Sequence, residues 1–200
     1  MKIIDRVKNI IVSPATEWVA IDQESSSLQQ LVITYLIPLS LLGTAATFIR
    51  WGFMGVSLLS IHLGGITWGI SFAIEFLVRI ILGAIITTYV VDALAPTFKS
   101  EKNITKSAQL VIYSYTPMLI GAILIIIPFL GVIGSLFGLY GLYLLYTGVH
   151  IMKKTPEDQK IGYIVVSILV LIAVHFVIGM ILSSVFGGMM GIGMGTYSHL

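Results

Sequence analysis

The sequence predicts an all-α integral membrane protein, a five-helix transmembrane bundle preceded by short amphipathic interfacial helices. Of its 200 residues, 57% are hydrophobic and only 10% are charged, whereas about a quarter of the residues in a soluble domain are charged. So few charges cannot cover a water-facing surface, which makes lipid the natural solvent. Five apolar segments are each long enough to cross a bilayer, and the length fits a single domain.

Residues 1–27 are expected to form an amphipathic interfacial segment. Charged residues interrupt every apolar run there, so the segment is not a signal peptide. Ser13 and Pro14 divide it into two short helices, because Ser can cap a helix and Pro fits its first turn. Helices of this kind lie in the plane of the membrane surface. The predicted membrane contacts are Ile4, Val7, Ile11 and Trp18. The alternative is a pair of helices packed on the protein's own loops.

Residues 28–186 form the predicted membrane domain. A helix needs about 20 apolar residues to cross the hydrocarbon core. The expected spans cover residues 29–49, 68–91, 107–127, 131–151 and 161–186. Because the third and fourth segments are almost continuous, we expect a tight reversal at 128–131, which begins with Pro128.

Three other segments carry local signals. Residues 50–67 are apolar and glycine-rich, which indicates an interfacial or re-entrant piece. Thr155 followed by Pro156 predicts a helix start with Thr155 as its cap. Residues 187–200 are predicted to be a flexible Gly/Met-rich tail. Its methionines could bind soft Cu(I), although a flexible end is the preferred interpretation; they are Met189, Met190 and Met194.

The basic residues predict the orientation, because Lys and Arg concentrate in the cytoplasmic loops of membrane proteins. Nine of the eleven cations fall in the N-terminal segment, the second loop and the fourth loop, while the first loop holds Arg50 alone. These nine are Lys2, Arg6, Lys8, Lys99, Lys102, Lys106, Lys153, Lys154 and Lys160. The pattern predicts a multi-pass protein with its N-terminus in the cytoplasm and its C-terminus outside. Anionic lipids of the cytoplasmic leaflet are expected partners.

Charged and titratable groups at membrane depth are the first candidates for a functional site. Glu75 and Arg79 are four residues apart on the second span, so they share a helix face near the midplane. They form either a structural pair or a site for a charged substrate or a proton. His175 in the fifth span is either a neutral, hydrogen-bonded group or a proton relay. No second ligand accompanies it at helical spacing, so no metal site is expected.

Aromatic hydroxyls form a second constellation of candidates. Tyr113 and Tyr115 precede Pro117, which deprives the carbonyl of Tyr113 of its helical partner. Tyr140 and Tyr143 share one face of the fourth span. These groups either line a polar cavity or form hydrogen bonds between helices.

A glycine step on the fourth span predicts a close helix contact. Gly134 and Gly138 are separated by three residues, the small-residue spacing that lets two helix backbones approach, and Gly141 continues the step. Whether the contact lies within one chain or between subunits is left open.

Several motifs, in order along nearly the whole chain, resemble those of bacterial Yip1-domain proteins. They are Ile11-Val12-Ser13-Pro14 with Glu17-Trp18, Ala93 to Phe98, Tyr113 to Pro117, and Tyr140 to Tyr146 leading into Lys154 to Asp158 and Gly162-Tyr163. The resemblance implies a five-span helical fold in the bacterial inner membrane. Eukaryotic relatives bind prenylated Rab GTPases, but their Asp-Leu-Tyr-Gly-Pro motif is absent here, so Rab binding is not carried over.

The function predicted from these features is that of a non-enzymatic scaffold, adaptor or membrane-organising protein. No nucleophile elbow, zinc-protease motif or phosphate-binding loop occurs in the sequence, and there is no cysteine. No cofactor is expected, and a net charge of +2 does not indicate nucleic acid. The expected partners are the bilayer and an unidentified protein, with self-association left open. The alternative is a transporter or lipid-handling protein that uses a polar site around Glu75, Arg79 and His175.

Overall fold

The computed structural model describes residues 2–58 and 61–189. Within them, five helices are long and apolar enough to cross a membrane, which confirms the predicted fold class. The spans, numbered in chain order, are Leu28–Met54, Ile66–Phe98, Ile104–Ile126, Pro128–Lys153 and Glu157–Phe186. The helix of the fifth span continues to Met189, into the segment predicted to be a flexible tail. The rest of that tail, including Met190 and Met194, lies outside the described residues.

Three spans depart from regular α-helix, and each of them contains a proline. Pro117 cannot donate a hydrogen bond to Tyr113, and the third span breaks beside it, as predicted. The first span has π-helical turns on either side of a central α-helix that contains Pro38.

The first span comprises α-helix Leu28–Leu31, π-helix Val32–Leu36, α-helix Ile37–Ile49 and π-helix Arg50–Met54. The third comprises α-helices Ile104–Ser114 and Thr116–Gly121 and 3-10 helix Ala122–Ile126, and the second comprises α-helix Ile66–Leu94 and 3-10 helix Ala95–Phe98.

Two predictions about turns are wrong. The reversal between the third and fourth spans occurs at Ile127, and Pro128 is already the first residue of the fourth helix, a position that its fixed φ suits. Thr155 does not cap the fifth span, which begins at Glu157. The Thr155 hydroxyl instead hydrogen-bonds to that of Ser100 at 2.8 Å, which joins two loops.

The segment between the first two spans forms a short antiparallel hairpin. Strand β1 (Val56–Leu58) pairs with strand β2 (Ile61–Leu63). Gly65 follows with φ of +126°, a conformation that favours glycine, and its N–H donates to the carbonyl of Trp51 at 2.9 Å. The hairpin therefore folds back on the end of the first span, and we call this end of the bundle the hairpin end.

The opposite end, here called the basic end, gathers the three basic segments predicted to share one side. It holds helices α1 (Ile3–Val12) and α2 (Pro14–Asp22) together with loops 99–103 and 154–156. Lys106 reaches Asp22 at 2.9 Å, and Lys154 reaches Glu101 at 2.7 Å. The hydrogen bond between the latter two side chains lowers the pKa of Glu101 and raises the pKa of Lys154. The chain thus brings together segments that are far apart in sequence but alike in charge.

Helix α2 packs on the bundle, and the predicted membrane contact of Trp18 is wrong. The Trp18 side chain is fully buried, and its N–H donates to the hydroxyl of Thr147 at 3.2 Å. Gly148 makes the space, because a Cβ there would lie 2.6 Å from the indole ring. The alternative of helices packed on the protein itself therefore holds for α2.

Helix α1 is attached to the same surface by polar contacts. The buried Arg6 guanidinium contacts the carboxylates of Glu17 and Glu24 and lies 5.2 Å from the centre of the Tyr113 ring. Tyr140 donates to the carbonyl of Ile11 at 2.6 Å. Of the predicted membrane contacts on α1, Val7 and Ile11 are partly buried against the core, while Ile4 is exposed.

Candidate functional site

A cavity of about 330 Å³ lies among the second, third, fourth and fifth spans. Engineered cavities of about 150 Å³ already hold benzene, so this one has room for a longer apolar group. Five lining residues carry a hydroxyl or an imidazole, but their polar atoms contribute almost nothing to the cavity surface, which is nearly all apolar. The polar residues are Thr87, Ser114, Tyr115, Ser167 and His175.

Three glycines on the fourth span play different parts beside this cavity. Gly134 and Gly141 touch the third span, since a Cβ at either would lie 2.5–2.6 Å from the carbonyl oxygen of Gly121 or Ser114. A Cβ at Gly138, one turn between them, would meet nothing within 4 Å. The predicted close contact is thus formed within one chain by Gly134 and Gly141, while Gly138 faces the cavity.

The cavity reaches the outer surface of the bundle beside the fifth span. Ile172 lines the cavity and is nevertheless 58% exposed. Leu169 and Phe176, one turn away on either side, are also exposed. This surface belongs to the central part of an apolar span, so the opening faces the lipid chains.

His175 lies in the cavity wall and is held by the backbone. Its Nδ1 is 2.9 Å from the carbonyl of Leu171, which can only accept, so Nδ1 carries the proton. The other nitrogen, Nε2, lies 3.5 Å from the Tyr115 hydroxyl, near the limit for a hydrogen bond. The ring fills the space that Gly83 leaves, because a Cβ there would lie 2.7 Å from Nε2.

Glu75 and Arg79 form an ion pair on the second span. The pair lies about two turns nearer to the hairpin end than the part of that span that lines the cavity. Arg79 donates to the buried Glu75 carboxylate, and the Arg79 side chain is 38% exposed. The guanidinium rests on the fifth span at Gly179, where a Cβ would lie 3.3 Å from it. The buried Arg79 Nε has no hydrogen-bond partner. The pair therefore neighbours the cavity without lining it.

The tyrosines are not gathered in one place. Tyr115 lines the cavity, whereas Tyr140 holds α1 and Tyr143 is exposed. Tyr113 packs edge-on against the ring of Tyr35, with centroids 4.8 Å apart. Contacts between elements thus account for Tyr113 and Tyr140, and only Tyr115 belongs to the cavity.

A buried ion pair at the basic end was missed by the sequence analysis. Lys153 is 0% exposed, and its Nζ lies 2.9 Å from Asp92 Oδ1 and 2.6 Å from the Ser107 hydroxyl. The Asp92 carboxylate also accepts from the Asn103 N–H at 2.8 Å and from Ser107 at 2.9 Å. Asp92 follows Val91 and Ser107 lies one turn before Val111, and both valines line the cavity, so the cluster lies between the cavity and the basic end. The signal in the sequence that could have revealed this pair is Asp92, an acidic residue in a span close to a loop that carries lysines.

No group of three or more potential metal-ligating side chains occurs in the part of the chain that the structure describes. Among the described residues, no Asp, Glu, Lys or Arg lines the cavity, and its surface is almost wholly apolar. The arrangement can hold an apolar group.

The fold and the site define a multi-pass helical membrane protein. A family model for the Yip1 domain matches residues 8–181. The chain therefore belongs to the Yip1 domain family, in agreement with the resemblance seen in its motifs. No curated protein and no solved structure matches it.

Proposed function

We propose that this Yip1-domain protein is a non-enzymatic lipid-handling protein that takes the chain of an amphiphile from the bilayer into the cavity among its second to fifth spans. The observation that carries the proposal is a cavity of about 330 Å³ at membrane depth, with an almost wholly apolar surface and an opening towards lipid at Ile172. Small-molecule pockets are lined predominantly by apolar side chains, and a wall of this kind suits a hydrocarbon chain.

The direction of the opening supports a lipid rather than a water-borne solute. A solute crossing the membrane would need a polar path open at both ends of the bundle. The Asp92–Lys153 cluster instead fills the interior next to the cavity at the basic end. Access beside Ile172 suits a molecule that is already dissolved in the bilayer.

Filling the cavity should abolish uptake and leave the fold intact. In Gly138→Leu the new side chain enters open space, and the loss of a helix glycine favours the helix by up to about 1 kcal/mol. We expect a lipid bearing a photoreactive diazirine in its chain to label wild-type cavity residues in nanodiscs, and the variant to lose at least about 90% of that labelling. Peptide mapping by mass spectrometry measures the yield.

The matched control is Leu139→Phe, which adds bulk at the next residue but on the exposed face. The lipid should label its cavity residues with the same yield as in the wild type. Equal cavity labelling in Gly138→Leu and the wild type, with both variants folded, would reject the lipid-handling proposal.

A scaffold or adaptor is the second candidate, favoured by the exposed surface of α1. Ile4, Lys8 and Val12 are exposed at successive turns. The buried Arg6 holds the helix in place through its contacts with two carboxylates. Such a surface suits the anionic leaflet or an unidentified protein partner. If cells with the Gly138→Leu variant show the same phenotype as cells with the wild-type protein, the result would favour this candidate over lipid handling.

We also propose that the basic end is cytoplasmic, because the basic loops gather there. The chain would then have its N-terminus in the cytoplasm and its C-terminus outside. Cysteines introduced near the two termini of this cysteine-free chain should react with an impermeant maleimide from opposite sides of the membrane. Labelling of both from one side would contradict the five-span orientation.

A further inference from the structure

We infer that a second pocket, at the basic end of the bundle, binds the primary ammonium group of an amine through the carboxylate of Glu24 and the hydroxyl of Tyr113. Two kinds of molecule carry that group, a lipid with an ethanolamine head and a water-soluble amine. The inference is independent of lipid handling, because this pocket shares no lining residue with the apolar cavity.

The second pocket lies where helix α1 and the segment after α2 meet the first and third spans. Ile3 and Arg6 contribute to it from α1, Glu24 and Ser26 from the segment after α2, and Tyr113 from the third span. Its volume is about 180 Å³. A cavity of about 150 Å³ holds benzene, so the second pocket has room for a polar group of several non-hydrogen atoms. In contrast to the apolar cavity, most of its surface consists of polar atoms.

The charged groups in and beside the second pocket have an excess of negative charge. They are one guanidinium, that of Arg6, and two carboxylates, those of Glu17 and Glu24. The side chains of Arg6 and Glu17 are 5% and 8% exposed and contact each other, so this pair is enclosed and neutral. The Glu24 side chain also contacts Arg6 but is 37% exposed. The excess charge therefore lies on the carboxylate that a ligand can reach.

The hydroxyl of Tyr113 has no hydrogen-bond partner in the part of the chain that the structure describes. Packing against Tyr35 and Arg6 accounts for the ring, but no hydrogen bond of normal geometry joins the hydroxyl to Arg6. The residue is only 4% exposed, and a buried hydroxyl normally has a partner. Its oxygen, unlike those of Thr87 and Ser114, keeps accessible surface. Because Tyr113 lines the second pocket, a ligand there can supply the missing bond.

These groups suit a cation and do not suit an anion. An anion would meet the Glu24 carboxylate, while both Nη atoms of Arg6 already contact carboxylates. A metal ion such as Ca²⁺ needs six or more oxygen ligands, several of them charged. Among the described residues, no group of three potential metal-ligating side chains occurs.

A primary ammonium matches the number and kind of acceptors in the second pocket. It has three N–H donors and no acceptor. One can donate to Glu24, one to the hydroxyl of Tyr113, and one to the hydroxyl of Ser26 or the amide oxygen of Gln30, which also line the pocket. A quaternary ammonium has no N–H and would leave these acceptors without a bond.

The test compares two water-soluble probes that differ in one group. A short chain with a diazirine ends in a primary amine in one probe and in a hydroxyl in the other. Both are added at neutral pH to the whole protein in phosphatidylcholine nanodiscs. The amine should label peptides that contain the lining residues Ile3 and Leu31, and the alcohol should label them at least about tenfold less, because charge-assisted hydrogen bonds are the stronger ones.

Two variants remove the proposed contacts one at a time. Glu24→Gln should cut labelling by the amine at least about tenfold, and Tyr113→Phe should cut it roughly three- to tenfold. Both should remain folded. The Gln amide oxygen can still accept from Arg6, which keeps its pair with Glu17, and Phe keeps the ring contact with Tyr35. Thermal unfolding in detergent checks this point.

The matched controls lie outside the second pocket. Glu101→Gln also removes a carboxylate at the basic end that is 42% exposed and paired with a cation. Tyr143→Phe removes an exposed tyrosine hydroxyl from the fourth span. Labelling by the amine should be the same in both as in the wild type.

Nanodiscs with phosphatidylethanolamine in place of phosphatidylcholine distinguish the two sources of the ammonium. If the ligand is the lipid head group, the lipid should compete and lower labelling by the amine at least about threefold. Unchanged labelling would identify a water-soluble amine as the ligand. Equal labelling of the wild type by amine and alcohol, or full labelling of folded Glu24→Gln or Tyr113→Phe, overturns the inference. Gly138→Leu should not alter labelling by the amine, so the failure of lipid handling and the failure of this inference are separate results.

Discussion

Replacing Lys153 by Met is expected to destabilise the protein by about 3–5 kcal/mol, because it leaves the Asp92 carboxylate buried without its counter-ion. The ammonium is 0% exposed and contacts both Asp92 and Ser107, so no water can take its place without a rearrangement of the basic end. Denaturant or thermal unfolding of the purified protein in one detergent measures the change.

The adjacent Lys154 provides the control for this prediction. Its side chain is 72% exposed and its partner Glu101 lies on the surface, so Lys154→Met should leave the free energy of unfolding nearly unchanged. The double variant Asp92→Asn with Lys153→Met should recover most of the loss. Its amide oxygen can still accept from Asn103 and Ser107, and no charge remains buried. A Lys153→Met protein as stable as Lys154→Met would show that the pair does not hold the bundle.

The membrane architecture could be predicted because it depends on local quantities. The length of each apolar segment sets the spans, and the positions of Lys and Arg set which loops lie together. Pro117 likewise breaks the third span for a reason confined to its own residue, the missing N–H. Each of these signals can be read without knowledge of what any helix packs against.

The failed predictions concern what an apolar face contacts. An amphipathic helix shows the same pattern whether its apolar side meets lipid or protein, because both are apolar. Trp18 is buried because Gly148, far along the chain, leaves space for its ring. In the same way, the spacing of Gly134, Gly138 and Gly141 indicates close packing but not which glycine faces a cavity.

The candidate site was predicted only in part for a related reason. His175 and Tyr115 were recognised as polar residues at membrane depth, and the structure brings them together. Thr87 and Ser114 were not, since a hydroxyl on a membrane helix normally bonds its own backbone. Only the fold shows that the oxygens of these two have no hydrogen-bond partner within the criteria for a bond, and that both residues line the same cavity with their apolar atoms.

Replacing Arg79 by Leu is expected to destabilise the protein by about 2–4 kcal/mol, the second largest effect predicted. The change leaves the buried Glu75 carboxylate without its partner near the middle of the second span. The loss should be somewhat smaller than for Lys153, because the Arg79 side chain is partly exposed while Lys153 is fully enclosed. Unfolding under the same conditions gives a direct comparison of the two pairs.

The double variant Glu75→Gln with Arg79→Leu separates a structural role from a role in the site. We expect it to recover the stability of the wild type and also the labelling of the cavity by the diazirine lipid, because the pair does not line the cavity. Recovery of folding without recovery of labelling would assign the pair to ligand recognition. An Arg79→Leu protein as stable as the wild type would instead show that the ion pair does not stabilise the bundle.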